Sequence, residues 1–214
     1  MLIYKQQEKP FVFIAVPRTG TTSIHDFLLK VREFGNPKAE KFLSKNYHAS
    51  MTEIYEKYPH YFNLNRKYYK FAFHRNPWDR MVSAWHEFTE NTIHHPWSKA
   101  LLDYENFETF VTEFKNSEWQ THKNFRPTVW YTHDSEGTQQ ADFIGQYKNF
   151  AHDFAIVCKE IGVSFEQFKN QTIRRQSSTA NTNKKLHYKN DKMIQAVADA
   201  FEQDIKLFGD KFDE

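Results

Sequence analysis

The stretch FVFIAVPRTGTTS, residues 11–23, decides the predicted fold class. It opens with a continuous apolar run over 11–16, which is typical of a strand buried on both faces by helices. A turn over 17–23 follows, and apolar residues then recur at helical spacing from Ile24 to Phe34. A strand, a turn and a helix in this order place the backbone N–H groups of a helix N-terminus at the end of a sheet. The stretch therefore predicts an anion-binding turn.

A second strand, turn and helix follow farther along the chain. Residues 69–73 are predicted to form a core strand. The pair Asn76-Pro77 is suited to cap a helix and to begin it. Arg75 would then lie at the carboxyl end of the strand, where open α/β sheets bind ligands. Ser83 adds a hydroxyl donor within the helix, so the second turn predicts a second anion site.

The other patterns extend this alternation of strands and helices. Ser50 and Glu53 fit a capping box that opens a short helix. Further elements are expected as short strands at 129–131 and 142–145, helices from Asn106, over 150–161 and from Asn190 to Gly209, and a polar loop over 174–190. The alternation predicts an α/β fold with a mostly parallel central sheet flanked by helices. A length of 214 residues predicts a single domain over 1–214.

Composition excludes several classes of protein. The chain has 29 Lys+Arg and 27 Asp+Glu, a net charge of +2, which is too even for a dedicated nucleic-acid binder. Its single cysteine, Cys158, excludes an internal disulfide and a cysteine-type zinc site. No stretch approaches the ~20 apolar residues of a membrane span, and none resembles a signal peptide. We therefore expect a cytoplasmic protein without a membrane span, and nothing in the sequence indicates an oligomeric state.

The first turn invites comparison with the Walker A loop, G-x-x-x-x-G-K-[ST]. Aligning Gly20 with the second glycine puts Ala15 at the first glycine and Thr21 at the lysine. A Walker enzyme also needs a carboxylate that holds Mg²⁺, whereas the second strand ends in His74-Arg75. The sequence thus predicts a phosphate cradle without a metal site.

Hydroxyls and one fixed positive charge supply the donors of this cradle. Arg18 offers a bidentate guanidinium, and backbone N–H groups add further donors. The hydroxyls belong to Thr19, Thr21, Thr22 and Ser23. An ordinary helix cap is the alternative interpretation of these residues.

Four motifs resemble those of the PAPS-dependent sulfotransferases, which use 3′-phosphoadenosine 5′-phosphosulfate (PAPS). PRTGTTS at 17–23 resembles the family's 5′-phosphosulfate loop, and FHRNPWDRMVSAW at 73–85 resembles its 3′-phosphate motif. The second motif is close to that of the carbohydrate and heparan-sulfate type. DFIGQYKNF at 142–150 resembles the family's DFIGRFEN segment, and AFEQDIKLFG at 200–209 is similar to its closing helix. The resemblance covers most of the chain.

The resemblance implies a P-loop-like sulfotransferase fold and transfer of a sulfuryl group from PAPS, without a metal, to a hydroxyl or amine, with a hydroxyl as the expected acceptor. The best acceptor class is carbohydrate, although a small metabolite, lipid or peptide stays open. The residues that it assigns to cofactor binding are Arg18, Thr19, Gly20, Thr21, Thr22, Ser23, Arg75 and Ser83. Arg18 stands where the family commonly has lysine, and arginine stabilises charge without releasing a proton.

A catalytic base is also required, because the acceptor hydroxyl must lose its proton. His48 occupies the region where heparan-sulfate 2-O-type relatives place a histidine base. Histidine's ordinary pKa of about 6.5 suits that role. Glu53, His25 and His86 are the alternatives.

Two other functions remain open from the residues alone. One is a P-loop kinase that uses ATP, and the other is a non-catalytic glycan-binding module suggested by Trp97, Trp119 and Trp130. Lys184-Lys185 is expected on a solvated loop, with closure over the cofactor as the alternative. Asp79-Arg80 is expected on a solvated face or as a capping pair, and His94-His95 in a loop without a metal.

Overall fold

The computed structural model describes residues 2–4, 9–30, 48–59, 67–169 and 183–213. The chain divides into two compact units, unit 1 (Met1–His74 and Thr128–Arg174) and unit 2 (Arg75–Pro127 and Arg175–Glu214). The strands are β1 (Leu2–Tyr4), β2 (Phe11–Phe13), β3 (Tyr69–His74) and β4 (Phe143–Gln146). The α-helices are α1 (Thr21–Lys30), α2 (Met51–Lys57), α3 (Pro77–Glu90), α4 (Phe107–Glu113), α5 (Thr128–Thr132), α6 (Phe150–Ile161), α7 (Phe165–Lys169), α8 (Lys184–His187), α9 (Asp191–Ala200) and α10 (Glu202–Phe208). The 3₁₀ helices are Pro96–Asp103, Phe114–Asn116, Glu118–Gln120 and Tyr147–Asn149.

Unit 1 contains a four-stranded sheet in the order β1-β2-β3-β4. β2, β3 and β4 are parallel, with Phe13 opposite Phe71 and Phe73 opposite Gly145. β1 pairs antiparallel with β2 at the edge. The predicted α/β class with a mostly parallel sheet is confirmed. The edge strand was not predicted, because three residues carry too little periodicity to indicate a strand.

Both faces of this sheet are buried, which explains the continuous apolar run of β2. Phe11 and Phe13 face a core formed with α1, α6 and α7. Val12 and Ile14 face the opposite core, which includes residues of α2 and α5. Successive strand residues point to opposite faces, so a strand covered on both sides needs apolar residues at every position.

Gly145 fits β4 because the Phe73 ring of β3 occupies the space of a side chain. A Cβ at this position would lie 2.6 Å from Phe73 Cε1. We expect Gly145→Ala to destabilise the fold by about 1–3 kcal/mol, since the buried ring must shift. Chemical denaturation would measure this loss, with Gln146→Ala in the same strand as the control. If Gly145→Ala is no more destabilising in the parent than in a Phe73→Leu background, the clash is not its cause.

Unit 2 is helical and has an aromatic core. Trp78 of α3 is buried, and its indole Nε1 donates to the Ile194 carbonyl of α9 at 3.0 Å. Phe110 of α4 lies in the same core, 5.1 Å from the Trp85 ring. None of the helices described in the structure has the length and apolar character that a membrane crossing requires.

Several helix ends follow the sequence prediction closely. Ser50 and Glu53 form the reciprocal capping box at α2. Asn106 caps α4 through the Thr109 N–H. Gly162 and Gly209 end α6 and α10 in the left-handed conformation.

The predicted strand at 129–131 is wrong, because these residues lie in the helix α5. The Thr132 hydroxyl donates to the Thr128 carbonyl at 2.9 Å, and the His133 N–H donates to the Val129 carbonyl at 2.9 Å. Tyr131 is fully buried against the sheet core. Its burial outweighs the strand preference of valine and aromatic residues, which depends strongly on context.

Two other boundaries differ from the prediction. The last helix is broken into α9 and α10 at Phe201, which leaves helical geometry at φ −119° and ψ 27°. Phe201 is buried and stacks on Phe114 at 5.9 Å. Within the expected loop over 174–190, residues 184–187 form the short helix α8. Residues 31–35 of the first predicted helix and residues 174–182 of the loop lie outside the described residues.

Candidate active site

In unit 1, the backbone of the first turn contains two residues with positive φ. Arg18 has φ 64° and Gly20 has φ 84°, whereas Thr19 between them has a negative φ. Residues of positive φ that alternate with residues of negative φ can turn successive N–H groups toward one concavity, an arrangement known to bind anions. The helix α1 starts at Thr21, so its unpaired first N–H groups extend this set of donors.

The turn is held in place by a hydroxyl and by two aromatic rings. The Thr19 hydroxyl is fully buried and donates to the Val16 carbonyl at 2.9 Å. Any contact of Thr19 with an anion would therefore involve its backbone N–H. A Cβ on Gly20 would lie 3.0 Å from the Phe150 ring and 3.3 Å from the Tyr147 ring. The segment 142–150 thus supports the turn.

The hydroxyls that follow Gly20 differ in burial. Thr21 is 6% exposed, whereas Thr22 and Ser23 are half-buried. All three belong to the first turn of α1. Thr22 and Ser23 therefore present hydroxyls at the partly open start of this helix.

His48 lies beside the segment 14–16, which connects β2 to the turn. Its Nδ1 is 2.6 Å from the Ala15 carbonyl oxygen. A carbonyl oxygen only accepts hydrogen bonds, so Nδ1 carries the proton. The neutral ring consequently has its lone pair at Nε2, and this nitrogen is the one able to accept a proton.

In unit 2, the turn before α3 is fixed by Asn76. Its Oδ1 accepts from the Trp78 N–H at 3.1 Å, and its Nδ2 donates to the Lys211 carbonyl at 2.9 Å. Pro77 occupies the first helical position, as predicted. Arg75 directly precedes this cap and is half-buried, and Ser83 is buried in the second turn of α3.

Comparison with known protein families decides what these motifs belong to. The model of the Sulfotransferase family matches residues 2–212. The chain belongs to the sulfotransferase family. It is therefore an enzyme that uses PAPS, and the family match favours neither the kinase nor the non-catalytic module. No curated protein and no solved structure matches the chain.

The other base candidates of this sulfotransferase are placed differently from His48. The Glu53 carboxylate accepts from the Ser50 N–H at 2.8 Å and so takes part in the helix cap. His25 lies within α1 with Nδ1 3.9 Å from Asp26. His86 belongs to unit 2, where Nδ1 is 2.8 Å from Glu90.

The expectation of a solvated face for Arg80 is wrong. Its side chain is 3% exposed, and the guanidinium donates to the Arg126 carbonyl at 2.6 Å and lies 5.9 Å from the Phe201 ring centroid. Charged residues at helical spacing give no signal that distinguishes a buried from a solvated arginine. The pairing of this cation with a carbonyl and an aromatic face makes its burial tolerable.

The expectation that Lys184 lies on a solvated loop is also wrong. The residue is 4% exposed, with Nζ 3.5 Å from the Asp79 carboxylate and 5.7 Å from the Phe212 ring centroid. Burial, together with the nearby Asp79 carboxylate, raises the pKa of the Tyr188 hydroxyl well above its ordinary value. Lys184 is therefore an internal partner of Asp79, whereas its neighbour Lys185 is exposed.

The residues that the structure describes offer neither a cluster of metal ligands nor a reactive thiol. Among the residues that the structure describes, no three His, Cys, Asp or Glu side chains cluster to hold a metal ion. His95 Nε2 lies 3.5 Å from Glu87. Burial raises the pKa of the Cys158 thiol to about 12, so it carries no thiolate at neutral pH.

Proposed function

We propose that this sulfotransferase moves the sulfuryl group of PAPS to a hydroxyl of a carbohydrate by in-line displacement. The carbohydrate class rests on the resemblance of residues 73–85 to the carbohydrate and heparan-sulfate type. The observation that carries the mechanism is the 2.6 Å contact between His48 Nδ1 and the Ala15 carbonyl. This contact supports the role of His48 as the base, since Ala15 belongs to the segment between β2 and the first turn.

The donor set of the first turn fits the 5′-phosphosulfate of PAPS. Residues 17–23 contain no carboxylate and combine backbone N–H groups, hydroxyls and the Arg18 guanidinium. Gly20 suits the turn because it adopts φ 84° and leaves room for the Phe150 ring, which would lie 3.0 Å from a Cβ. A concave set of donors with a fixed cation matches an anion that carries several oxygens.

Arg75 and Ser83 of unit 2 are proposed to bind the 3′-phosphate. The Asn76 cap fixes the backbone next to Arg75, and α3 fixes Ser83. A guanidinium forms paired hydrogen bonds with phosphate oxygens, and a buried hydroxyl adds a third donor. These contacts would distinguish PAPS from a donor without a 3′-phosphate.

The chemistry then needs charge stabilisation and proton transfer. When bound, PAPS supplies a sulfuryl group whose bond to the 5′-phosphate oxygen breaks as the acceptor oxygen attacks the sulfur. His48 Nε2 takes the acceptor's proton, and the Nδ1–H bond to Ala15 orients the ring. Arg18 and the N–H groups of the turn stabilise the charge that stays on the phosphate side. Arg18 keeps its own proton throughout.

The first test of this proposal is binding of the spent cofactor. We expect 3′-phosphoadenosine 5′-phosphate to bind in EDTA, since the proposed contacts involve hydroxyls, N–H groups and guanidinium groups. Isothermal titration calorimetry with and without Mg²⁺ would measure it. Heats that match the buffer blank in both conditions would contradict the assignment of the two motifs.

The second test concerns the 3′-phosphate. We expect Arg75→Ala and Ser83→Ala to weaken PAPS binding by about 10- to 100-fold, the equivalent of roughly 1.5–3 kcal/mol for a charge-assisted contact. Binding of adenosine 5′-phosphosulfate, which lacks the 3′-phosphate, should change little. Ser98→Ala is the matched control, because Ser98 is also a buried serine of unit 2 and donates to the Phe88 carbonyl. Equal losses for both nucleotides would assign Arg75 and Ser83 to the fold.

A further inference from the structure

Unit 2 contains an open pocket of about 640 Å³ that the transfer chemistry described above does not use. Its walls come from the 3₁₀ helix Pro96–Asp103 and from residues 118–123. The volume lies within the ~300–1,000 Å³ that small-molecule sites commonly occupy. The pocket is large enough for one or two sugar rings.

Aromatic rings contribute to the lining of this pocket, and two of them pack against each other. Trp97 and His122 lie 4.3 Å apart, centroid to centroid, at an interplanar angle of 35°. The Trp119 ring is 5.9 Å from Trp97 and is almost fully buried. Trp97 and His122 are half-buried, so both rings are partly open to a ligand. The exposed parts of these two rings offer an apolar surface to the C–H groups of a pyranose.

The rim of the pocket is polar but carries no net charge. Glu118, Thr121 and Lys123 are exposed side chains of the lining, and the charges of Glu118 and Lys123 cancel. This balance differs from the excess of cations that a nucleic acid or a highly sulfated chain requires. Hydroxyl, carboxylate and ammonium groups together suit a ligand with many hydroxyls.

His122 contributes as a neutral ring. Burial and the nearby Lys123 ammonium lower the pKa of His122, while Glu118 opposes that shift. The ring is therefore uncharged at neutral pH. Its Nδ1 accepts a long 3.4 Å hydrogen bond from the Asn124 N–H, which leaves the proton on Nε2 as a donor.

We propose that the Trp97–His122 pocket binds a pyranose residue of an unsulfated glycan, with the sugar ring against the Trp97–His122 pair and the hydroxyls near Glu118, Thr121 and Lys123. The pocket would hold a sugar of the acceptor chain, a role that rests on the proposed function. Binding of a free oligosaccharide does not require the donor.

The test is binding of unsulfated tetrasaccharides to the full chain without nucleotide. Heparosan, chondroitin, chitin and maltose-type tetrasaccharides would be titrated by calorimetry and by tryptophan fluorescence. We expect at least one of them to bind and to shift the His122 ring signals in NMR. Lys123→Ala and Glu118→Ala should each weaken that binding by about 3- to 10-fold, the usual range for lost hydrogen bonds.

Two further variants keep the result decisive. Trp97→Ala should abolish binding, but this change also removes a packed ring and could destabilise the fold. Ala100→Arg therefore serves as a second variant, because it fills the pocket from an exposed position of the lining. Glu105→Ala and Lys115→Ala are the controls, since both are exposed residues of unit 2 outside the pocket lining. These controls should bind the tetrasaccharide like the parent.

The possible outcomes distinguish failure of the pocket proposal from failure of the proposed transfer reaction. No binding by any tetrasaccharide, or binding that Ala100→Arg leaves unchanged, would overturn the pocket proposal even if the chain binds 3′-phosphoadenosine 5′-phosphate. Loss of nucleotide binding in Ala100→Arg would also overturn it and assign the pocket to a nucleotide. A parent chain that binds the sugar at the pocket but never the nucleotide would contradict only the proposed transfer.

Discussion

We expect the His48→Ala enzyme to lose a factor on the order of 10²–10⁴ in kcat, the usual contribution of a general base. Its affinity for 3′-phosphoadenosine 5′-phosphate should change little, because the proposed role of His48 concerns the acceptor. In the parent, the rate should rise with pH through the histidine range, since only the neutral imidazole accepts a proton. Steady-state kinetics and nucleotide calorimetry would measure both effects.

Two variants test whether the loss of activity comes from the missing base at position 48. His48→Asn keeps an amide donor for the Ala15 carbonyl but no base, so it should be nearly as slow as His48→Ala. His25→Ala should retain most of the activity if His25 has no part in proton transfer. Near-normal turnover of His48→Ala would remove His48 from the mechanism. Loss of nucleotide binding together with turnover would instead assign His48 to the donor pocket.

Arg18 combines a charge with an unfavourable backbone conformation, and two variants separate these effects. Arg18→Ala and Arg18→Gly both remove the guanidinium, and we expect each to weaken PAPS binding by about 10- to 100-fold. At φ 64°, alanine retains the left-handed strain and glycine does not. Arg18→Gly should therefore be more stable than Arg18→Ala by about 1 kcal/mol.

Thermal denaturation and PAPS binding of this pair provide the measurement, and Arg18→Lys provides the control. Lysine retains the charge without the bidentate geometry, so its affinity should lie between those of the parent and Arg18→Ala. The account would be contradicted if both uncharged variants bound PAPS like the parent. It would also fail if Arg18→Gly transferred sulfate normally.

The parts of the fold that follow from the sequence depend on local signals. The Asn76-Pro77 pair has a defined role at a helix start whatever surrounds it, and the structure confirms that role. The capping box of Ser50 and Glu53 is equally local. The apolar run at 11–16 predicted burial on both faces, and both cores of the sheet are present.

The parts that sequence reasoning missed depend on contacts between distant residues. Val129, Trp130 and Tyr131 have strand preference, but burial of Tyr131 fixes them in a helix. Lys184 pairs with Asp79, 105 positions away in the chain, and no local pattern indicates that contact. Spacing along one segment reports which face is apolar and does not report which distant side chain covers it.

For the site, the sequence indicated which residues form the turn but not which of their hydroxyls are used in hydrogen bonds within it. Thr19 was expected to offer its hydroxyl to an anion, whereas that hydroxyl donates to the Val16 carbonyl. The role of Tyr147 and Phe150 as supports under Gly20 follows only from the structure. The hydrogen bond of His48 to Ala15 spans 33 positions and supplies the orientation that a sequence position alone lacks.

The most direct test of the account is transfer of radiolabelled sulfate from PAPS to unsulfated glycans in the presence of EDTA. Labelled oligosaccharide should form with the parent enzyme, and the rate should fall by a factor on the order of 10²–10⁴ with His48→Ala. The assay would use the same tetrasaccharides as the binding experiment. A parent chain that binds 3′-phosphoadenosine 5′-phosphate yet labels none of these glycans would contradict the carbohydrate acceptor, and full transfer by His48→Ala would contradict the mechanism.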